Sequence, residues 1–290
     1  MAKLSLNAGF TCPNRDGTLS YTGCIFCSEK GSGDFSGNPS ETIPKQIEKQ
    51  KAILNKKWKP VKYIAYFQAF TNTYANIEYL KKVYYEALDA SDICGIAIAT
   101  RPDCLDNEVI AILSELAEKT YVWVELGLQT SNENSAKFIN RGYSNDIFLN
   151  AVACLRNANI DVVAHIILGL PFETKVQMLD TIDWVTKTDI QGIKLHLLHI
   201  LKNTALEKIY ETNPFSILTM EEYIDLICEV LELIPNNIVI HRLTGDGPKK
   251  DLIAPSWSGN KKLVLDSLNK KIIKENIQQG RKKIEKNKTI

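Results

Sequence analysis

The sequence predicts an α/β protein built as a partial (β/α)6 barrel of the TIM type, and three observations support this fold class. Short runs rich in β-branched and aromatic residues alternate with longer amphipathic runs. Six of these strand–helix steps follow one another at intervals of roughly 30 residues, which predicts parallel strands joined by right-handed crossovers. Six steps are too few to close a barrel of eight strands.

The elements follow from these periodicities in chain order. The predicted strands span Leu4–Ala8, Lys62–Phe67, Ile93–Ala99, Tyr121–Leu126, Asp161–Leu168 and Gly192–Leu198, with a later one near Ile238–His241. The predicted helices span residues 41–57, 76–90, 106–118, 145–158, 173–187 and 219–233. Thr42 and Asp106 are suitable N-cap residues, and Pro44 is tolerated in a first helical turn. From about Leu263 the chain is expected to form a basic helix.

Charge is distributed unevenly along the chain. No linker rich in Gly, Pro or Ser interrupts the chain. We therefore expect residues 1–248 to form one barrel domain. Residues 249–290 are expected to form a basic extension that packs on the barrel or trails from it. The net charge of +1 combines +8 in this extension with −7 in the remainder, and the stretch Lys45–Lys62 holds seven lysines and one acid. Such segments are typical of solvated surfaces, and they also fit contact with a polyanion such as RNA.

Composition limits the class of protein. No apolar run approaches the ~20 residues of a membrane span, and no signal peptide is evident, so we expect a cytoplasmic protein. Seven cysteines, an odd number, argue against a disulfide framework. Four of them lie in apolar segments and are expected to be small core residues: Cys94, Cys104, Cys154 and Cys228.

The other three cysteines, Cys12, Cys24 and Cys27, are spaced C-x11-C-x2-C in a loop after the first predicted strand. Four thiolates normally close an iron–sulfur cluster or a structural zinc site, so three leave one metal position open. The spacing favours a [4Fe–4S] cluster, with zinc as the alternative. Phe26, between the paired cysteines, either shields the cluster or packs in the core. Polar segments follow the other strands, where parallel α/β folds place their chemistry: Gln68–Asn72, Thr100–Asp103, Gln129–Ser131, Gly169–Thr174 and Asn203–Thr204.

The chain resembles radical S-adenosylmethionine (SAM) enzymes, and more narrowly a bacterial family related to the oxygen-independent coproporphyrinogen oxidase and elongator-type radical SAM enzymes. The matching segments span nearly the whole chain: Ser5–Gly17, Phe67–Tyr74, Thr100–Asp103, Glu125–Thr130, His165–Pro171 and His241–Gly247. The resemblance implies that Cys12, Cys24 and Cys27 hold a [4Fe–4S] cluster whose open iron binds SAM. It also implies reductive cleavage of SAM to a 5′-deoxyadenosyl radical, which abstracts hydrogen from the substrate.

The resemblance also suggests which residues contact the cofactors. They are Phe26, Gln68, Thr71, Arg101, Glu125, Gln129 and Gly169. Two positions depart from the family, because Gln68-Ala69-Phe70 replaces the more common Gly-Gly-Glu and Phe172 stands where relatives often have Gly. Burial of Glu125 in an apolar strand requires a partner, and SAM or Arg101 is expected. His165 is interpreted as a core histidine rather than a ligand, whereas His196 and His199 are left open.

One branch of the resembled family modifies the wobble uridine of tRNA, by removing the carboxymethyl group of 5-carboxymethylaminomethyluridine. The expected partners are therefore the tRNA anticodon stem-loop and a flavodoxin or ferredoxin-type electron donor. Tyr74, Tyr143 and Trp257 are candidates for base stacking, with structural roles as the alternative. The competing hypotheses are a radical SAM enzyme that acts on a small molecule or protein without RNA contact, and a non-enzymatic cluster or zinc protein.

Overall fold

Strands and helices alternate along the chain, as the computed structural model shows for residues 1–31, 33–56, 61–245 and 247–282. The strands are β1 (Ala2–Leu6), β2 (Tyr63–Phe67), β3 (Ile93–Thr100), β4 (Tyr121–Gln129), β5 (Asp161–Leu168), β6 (Gly192–Leu197), β7 (Ile200–Leu201), β8 (Val239–Arg242) and β9 (Leu252–Ala254). The helices are α1 (Ile43–Asn55), α2 (Ile77–Leu88), α3 (Asn107–Ala117), α4 (Glu133–Phe138), α5 (Asn145–Asn157), α6 (Lys175–Val185), α7 (Ala205–Thr212), α8 (Met220–Leu233) and α9 (Lys261–Lys274).

Seven strands form one sheet in the order β1-β2-β3-β4-β5-β6-β8, and β7 pairs with β9 in a separate antiparallel ribbon. The first six strands are neighbours in chain order, which is the arrangement of successive βα steps. This confirms the predicted α/β class with a partial barrel of the TIM type. None of the described helices is long and apolar enough to cross a membrane.

The chain divides into two compact units. Unit 1 comprises residues 1–23, 30–127 and 146–163, and unit 2 comprises residues 24–29, 128–145 and 164–290, of which the structure describes the ranges given above. The predicted domain boundary at residue 248 stays a prediction.

In unit 1, parallel pairing fixes the register of the first four strands. Leu4 pairs with Ala65, Ala65 with Ile96, and Ile96 with Val122. All four side chains are 3% exposed or less, so this row is core. Helices α2 and α3 begin at N-caps whose side chains accept backbone N–H bonds, from Tyr79 to Asn76 and from Val109 to Asp106.

In unit 2, helices α6 and α8 both begin with a capping box, formed by Thr174 with Gln177 and by Thr219 with Glu222. The basic helix α9, predicted from about Leu263, begins at Lys261 and packs against α8, where Lys271 pairs with Asp225. Sequence periodicity missed the short elements α4, α7, β7 and β9.

Candidate cofactor site

The segment that follows Cys12 in unit 1 is a compact series of turns. The Cys12 carbonyl accepts the N–H groups of Arg15 (2.8 Å) and Asp16 (3.2 Å), and the Asn14 carbonyl accepts the N–H of Gly23 (2.6 Å). Gly23 has φ +72°, and a Cβ there would lie 2.9 Å from Arg15 Nε, so this position requires glycine. The backbone before Cys24 is therefore defined by hydrogen bonds and by a glycine.

The Cys24–Cys27 turn belongs to unit 2. Cys27 N–H donates to the Cys24 carbonyl (3.0 Å), and Ile25 is held on both sides, by its N–H to Ile139 O (3.1 Å) and its carbonyl to Leu206 N–H (2.9 Å). Ile25 is buried in an apolar cluster, and Phe26 packs against the same cluster. Phe26 therefore contacts the apolar core. This contact is compatible with both predicted roles, which were to shield the iron–sulfur cluster or to pack in the core.

The three cysteines of the motif carry half-buried thiols rather than disulfides. Within the ranges that the structure describes, no three His, Cys, Asp or Glu side chains are grouped as a metal site. The assignment of Cys12, Cys24 and Cys27 as cluster ligands therefore stays a prediction. Their chemistry fits an iron–sulfur cluster, because thiolates are its protein ligands.

Directly after β2, unit 1 contains a strained turn. Ala69 (φ +82°) and Phe70 (φ +60°) are consecutive left-handed residues, a conformation that is unfavourable for any residue with a Cβ. The N–H groups of Gln68, Phe70 and Thr71 hold it by donating to the carbonyls of Leu6, Gly31 and Thr11 (3.0–3.1 Å). Ala69 lies where the resembled family commonly has its second glycine, a residue that adopts this left-handed conformation without strain. It brings Thr71 against Thr11, the residue before Cys12.

Thr71 and Asn72 have buried polar atoms that could accept a hydrogen bond from a cofactor. Thr71 is 1% exposed and Asn72 is 0% exposed. Thr71 Oγ1 and Asn72 Oδ1 have no hydrogen-bond partner among the described residues. An unsatisfied buried oxygen costs roughly 1–3 kcal/mol, so native proteins seldom keep one without a reason. A cofactor that donates a hydrogen bond beside the Cys12 loop fits this position.

Arg101 is buried and forms a bidentate ion pair with Asp103, with Nε–Oδ1 2.9 Å and Nη2–Oδ2 2.7 Å. The next residue, Cys104, was assigned to the core, and burial does raise the pKa of its thiol. Negative charge on Asp103 adds to that increase, and the positive charge on Arg101 reduces it. The sequence signal that could have pointed to Cys104 was its place directly after Pro102-Asp103, in the segment that follows β3.

Glu125 has three hydrogen-bond partners within unit 1, and the expected pairing with Arg101 stays a prediction. Its carboxylate accepts hydrogen bonds from Lys3 Nζ (3.1 Å), Tyr66 Oη (2.9 Å) and Trp123 Nε1 (3.2 Å), all within unit 1. Lys3 Nζ also lies 4.8 Å from the Trp123 ring centroid and 5.2 Å from that of Tyr66. Both carboxylate oxygens are thus engaged by the chain itself, and a contact of Glu125 with SAM stays a prediction.

In unit 2, Gln129 lies in a left-handed turn (φ +69°) at the end of β4. Arg141, which the sequence analysis missed, is 1% exposed and donates to the carbonyls on both sides of Gln129, those of Leu128 (3.0 Å) and Thr130 (2.8 Å). Arg141 stands between Asn140 and Gly142, both of which have positive φ, a backbone feature that the sequence alone does not show. Arg141 thereby fixes the backbone from which Gln129 projects.

The loop after β5, also in unit 2, carries Gly169 with φ +84°. Its N–H lies 3.1 Å from Met178 Sδ. Further along the loop, Phe172 has φ +65° and is 59% exposed. Burial raises the pKa of Glu173, an effect reduced by hydrogen bonds from Thr130 and Ser135. The loop thus combines an exposed aromatic ring with a carboxyl group that protonates more readily than an ordinary glutamate.

The three histidines singled out from the sequence lie in unit 2. The rings of His165 and His196 pack against each other at a tilt of 39°, with centroids 5.1 Å apart. A Cβ at Gly245 would lie 3.4 Å from His196 Nδ1 and 3.7 Å from His199 Cε1, so the Gly245 backbone passes close to both rings. His165 is half-buried, so its interpretation as a core residue stays a prediction.

The two basic segments are partly neutralised. In unit 1, Lys45 and Lys49 both pair with Glu41, and Lys51 is buried with Nζ 2.7 Å from the Ser91 carbonyl. Residues 57–60 of this segment lie outside the described residues.

In unit 2, Lys271 pairs with Asp225, and Arg281 and Lys282 pair with Glu232, whereas Lys262, Lys270 and Lys274 are exposed on α9. Residues 283–290 lie outside the described residues. The exposed lysines of α9 belong to the described part of the predicted basic surface, as do the exposed Lys56 and Lys62 in unit 1.

Comparison with family models defines the class. A model of the radical SAM superfamily matches residues 9–185, and a model of the radical SAM C-terminal domain matches residues 190–274. The first match alone covers more than half of the chain, so this chain belongs to the radical SAM superfamily. Its cofactors are therefore a [4Fe–4S] cluster and SAM, and it is an enzyme.

Individual relatives cover most of the chain. The uncharacterized protein YtqA of Bacillus subtilis (strain 168) is 47% identical over 279 residues, which are 96% of this chain and 87% of that protein. Protein YhcC of Escherichia coli (strain K12) is 33% identical over 277 residues, with coverage of 95% and 88%. Elongator complex protein 3 of Schizosaccharomyces pombe is 26% identical over 179 residues, 60% of this chain and 32% of that protein.

Solved structures show the same fold at low identity. The archaeal Elp3 of Methanocaldococcus infernus, lacking residues 1–46, superposes with a TM-score of 0.71 at 18% identity. That match covers 96% of this chain and 64% of that structure, so this chain spans less than two thirds of its length. Streptococcus suis SuiB bound to SAM superposes with a TM-score of 0.52 at 14% identity, over 84% of this chain and 50% of that one.

Proposed function

We propose that this enzyme modifies the wobble uridine of tRNA, by removing the carboxymethyl group from 5-carboxymethylaminomethyluridine in a radical reaction. The bond between nitrogen and an unactivated carboxymethyl carbon is difficult to break by acid–base catalysis, which makes radical chemistry appropriate. The reaction would take place in the cytoplasm, where thiols stay reduced, with an electron from a flavodoxin or ferredoxin-type donor.

Cys12, Cys24 and Cys27 would hold the cluster, and SAM would be bound by Phe26, Gln68, Thr71, Arg101, Glu125, Gln129 and Gly169. The unsatisfied Thr71 hydroxyl, next to the Cys12 loop, is the best support for the cofactor assignment. Arg101 and Glu125 already have partners of their own, so we expect them to contribute less to SAM binding than Thr71.

When bound, the cluster and SAM supply a 5′-deoxyadenosyl radical that takes a hydrogen atom from the substrate. The chain's residues bind and orient the reactants. The Cys24–Cys27 turn is fixed through Ile25 to Ile139 and Leu206. Arg141 fixes the turn that carries Gln129. These hydrogen bonds keep the site rigid, as orientation for hydrogen transfer requires.

The observation that carries the RNA proposal is the row of exposed lysines on α9, Lys262, Lys270 and Lys274, in a C-terminal segment of charge +8. Phosphate contacts provide most of the affinity of proteins for nucleic acids, and lysine is a common source of them. The match to elongator-type relatives adds independent support.

Mass spectrometry of tRNA nucleosides from a deletion strain tests the proposal. We expect the carboxymethylaminomethyl form to accumulate, and plasmid-encoded wild-type enzyme to restore the aminomethyl form. The Cys24→Ser variant should not restore it. An unchanged wobble uridine profile would contradict the proposal.

The second candidate is a radical SAM enzyme that acts on a small molecule or protein without RNA contact. The pairing of Lys45 and Lys49 with Glu41 favours it, because these lysines are less available to phosphates. Unchanged tRNA together with SAM cleavage stimulated by a tRNA-free cell extract would support this candidate.

A further inference from the structure

Phe172 combines two unfavourable features. Its φ of +65° places a bulky residue in the left-handed region, where glycine is preferred. In addition, 59% of this apolar residue is exposed. Within the described part of the chain, no other exposed aromatic residue has a positive φ. Strained backbone and exposed apolar surface both mark binding sites, so their coincidence at Phe172 suggests a ligand.

The surroundings of Phe172 are aromatic. Its ring packs edge-to-face against Phe138 (centroids 5.4 Å apart) and Phe215 (5.9 Å), and Phe215 in turn packs against Tyr210 (5.2 Å). Phe138 is itself 37% exposed. These rings, which we term the aromatic platform (Phe138, Phe172, Tyr210 and Phe215), hold Phe172 in place while leaving most of it accessible.

The aromatic platform is joined to the Cys24–Cys27 turn within unit 2. Phe215 belongs to the buried apolar cluster that contains Ile25, and Phe26 and Tyr210 pack against that cluster. A molecule bound on Phe172 would therefore rest on the same group of apolar side chains that positions Cys24 and Cys27, two of the proposed iron–sulfur ligands. This location suits a substrate better than an unrelated ligand.

The chemistry of the platform fits a nucleobase. Single-stranded RNA is recognised by stacking unpaired bases on aromatic side chains, with cations nearby for the phosphates. Lys137, exposed in the last turn of α4, immediately precedes Phe138. The stacking candidates expected from the sequence are engaged elsewhere: Tyr143 under Arg141 (4.8 Å), Tyr74 with Thr18 (2.9 Å), and Trp257 with the Leu218 carbonyl (3.0 Å).

We propose that Phe172 is a stacking site for an unpaired RNA base, a role that rests on the proposed RNA substrate and adds a specific contact to it. The phenyl ring would stack on the base, and Lys137 would contact a neighbouring phosphate. A stacking role also accounts for a phenylalanine at a left-handed position, where glycine would avoid the strain.

The test measures the affinity of the reconstituted enzyme for a fluorescein-labelled single-stranded RNA heptamer with a central uridine, by anisotropy. Phe172→Gly removes the ring and also relieves the strain, so misfolding does not explain a loss. We expect it to bind roughly 5- to 100-fold more weakly, the range for loss of one stacking contact, and Phe172→Trp to stay within about twofold of wild type. Phe35→Gly, at an exposed phenylalanine (62%) without positive φ, is the control and should retain affinity.

Three results would overturn the proposal: unchanged RNA affinity of Phe172→Gly, no measurable RNA binding by the wild type, or an equal loss of affinity for SAM, which would assign the ring to adenine. The tRNA nucleoside measurement is independent of these. If the deletion strain shows altered wobble uridine but Phe172→Gly binds RNA normally, only the stacking site is rejected. If the wobble uridine is unaltered but Phe172→Gly binds RNA more weakly, only the tRNA reaction is rejected.

Discussion

Glu125 and Thr71 are both buried polar residues of unit 1 and both were assigned to cofactor binding, but the chain treats them differently. The Glu125 carboxylate accepts hydrogen bonds from Lys3, Tyr66 and Trp123. The Thr71 hydroxyl has no partner among the described residues. A satisfied buried group can be explained by folding alone, whereas an unsatisfied one lowers stability and needs another explanation. Thr71 is therefore the better indicator of a ligand.

The largest expected effect comes from removing the charge that balances Glu125. Lys3→Met removes a cation 3.1 Å from a carboxylate whose side chain is fully buried, so we expect the free energy of unfolding to fall by about 2–4 kcal/mol. Urea denaturation measures this. Lys82→Met, at a surface lysine 4.0 Å from Glu86, is the matched control and should cost less than about 1 kcal/mol. Equal stabilities for the two variants would show that Glu125 does not depend on Lys3.

An intermediate effect, mainly on binding, is expected at Thr71. Thr71→Val removes the unsatisfied hydroxyl and its desolvation penalty, so the SAM-free protein should become more stable by about 1 kcal/mol while SAM binds roughly tenfold more weakly. Equilibrium dialysis with the reconstituted enzyme measures the affinity.

Thr73→Val is the control for this variant, because the Thr73 hydroxyl is buried two residues away and bonded to Thr100 Oγ1 and the Cys104 carbonyl (both 2.6 Å). We expect it to lose about 1–2 kcal/mol of stability. If Thr71→Val were destabilising and bound SAM normally, the contrast between satisfied and unsatisfied groups would fail.

The smallest effect concerns the strained turn that presents Thr71. Glycine at position 69 relieves a φ of +82°, so Ala69→Gly should stabilise the protein by about 0.5–1 kcal/mol. The same change in the exposed interior of α1, Ala52→Gly, should destabilise it by about 1 kcal/mol. Thermal unfolding of both variants compares the signs. A loss at both positions would mean that the left-handed backbone at Ala69 is not strained.

The sheet was predictable because each strand is a short run rich in β-branched residues and each helix shows a clear periodicity of apolar residues. Strand β5, for example, was predicted with its exact bounds, Asp161–Leu168. The first strand was set two residues late, because the apolar pattern continues through Ala8 while the backbone turns at Asn7, whose side chain accepts the Gly9 N–H. Local patterns do not report such turns.

The site was less predictable for physical reasons. Ala69, Phe70 and Phe172 adopt a left-handed backbone that their residue types avoid, so propensity argues against the observed geometry. The role of Arg141 depends on carbonyls at Leu128 and Thr130, and that of Lys3 on a carboxylate 122 residues away. Such long-range hydrogen bonds leave no periodic signal in a single sequence.

Anaerobic reconstitution tests the central claim, that Cys12, Cys24 and Cys27 hold a SAM-cleaving [4Fe–4S] cluster, most directly. Iron and sulfide should be bound at about four each per chain, and a strong reductant with SAM should yield 5′-deoxyadenosine. Cys24→Ser should lose both properties. Cys154→Ser should keep both, because Cys154 lies outside the motif and is exposed, contrary to its predicted place in the core. Bound zinc without iron, or a cluster that leaves SAM intact, would contradict the account.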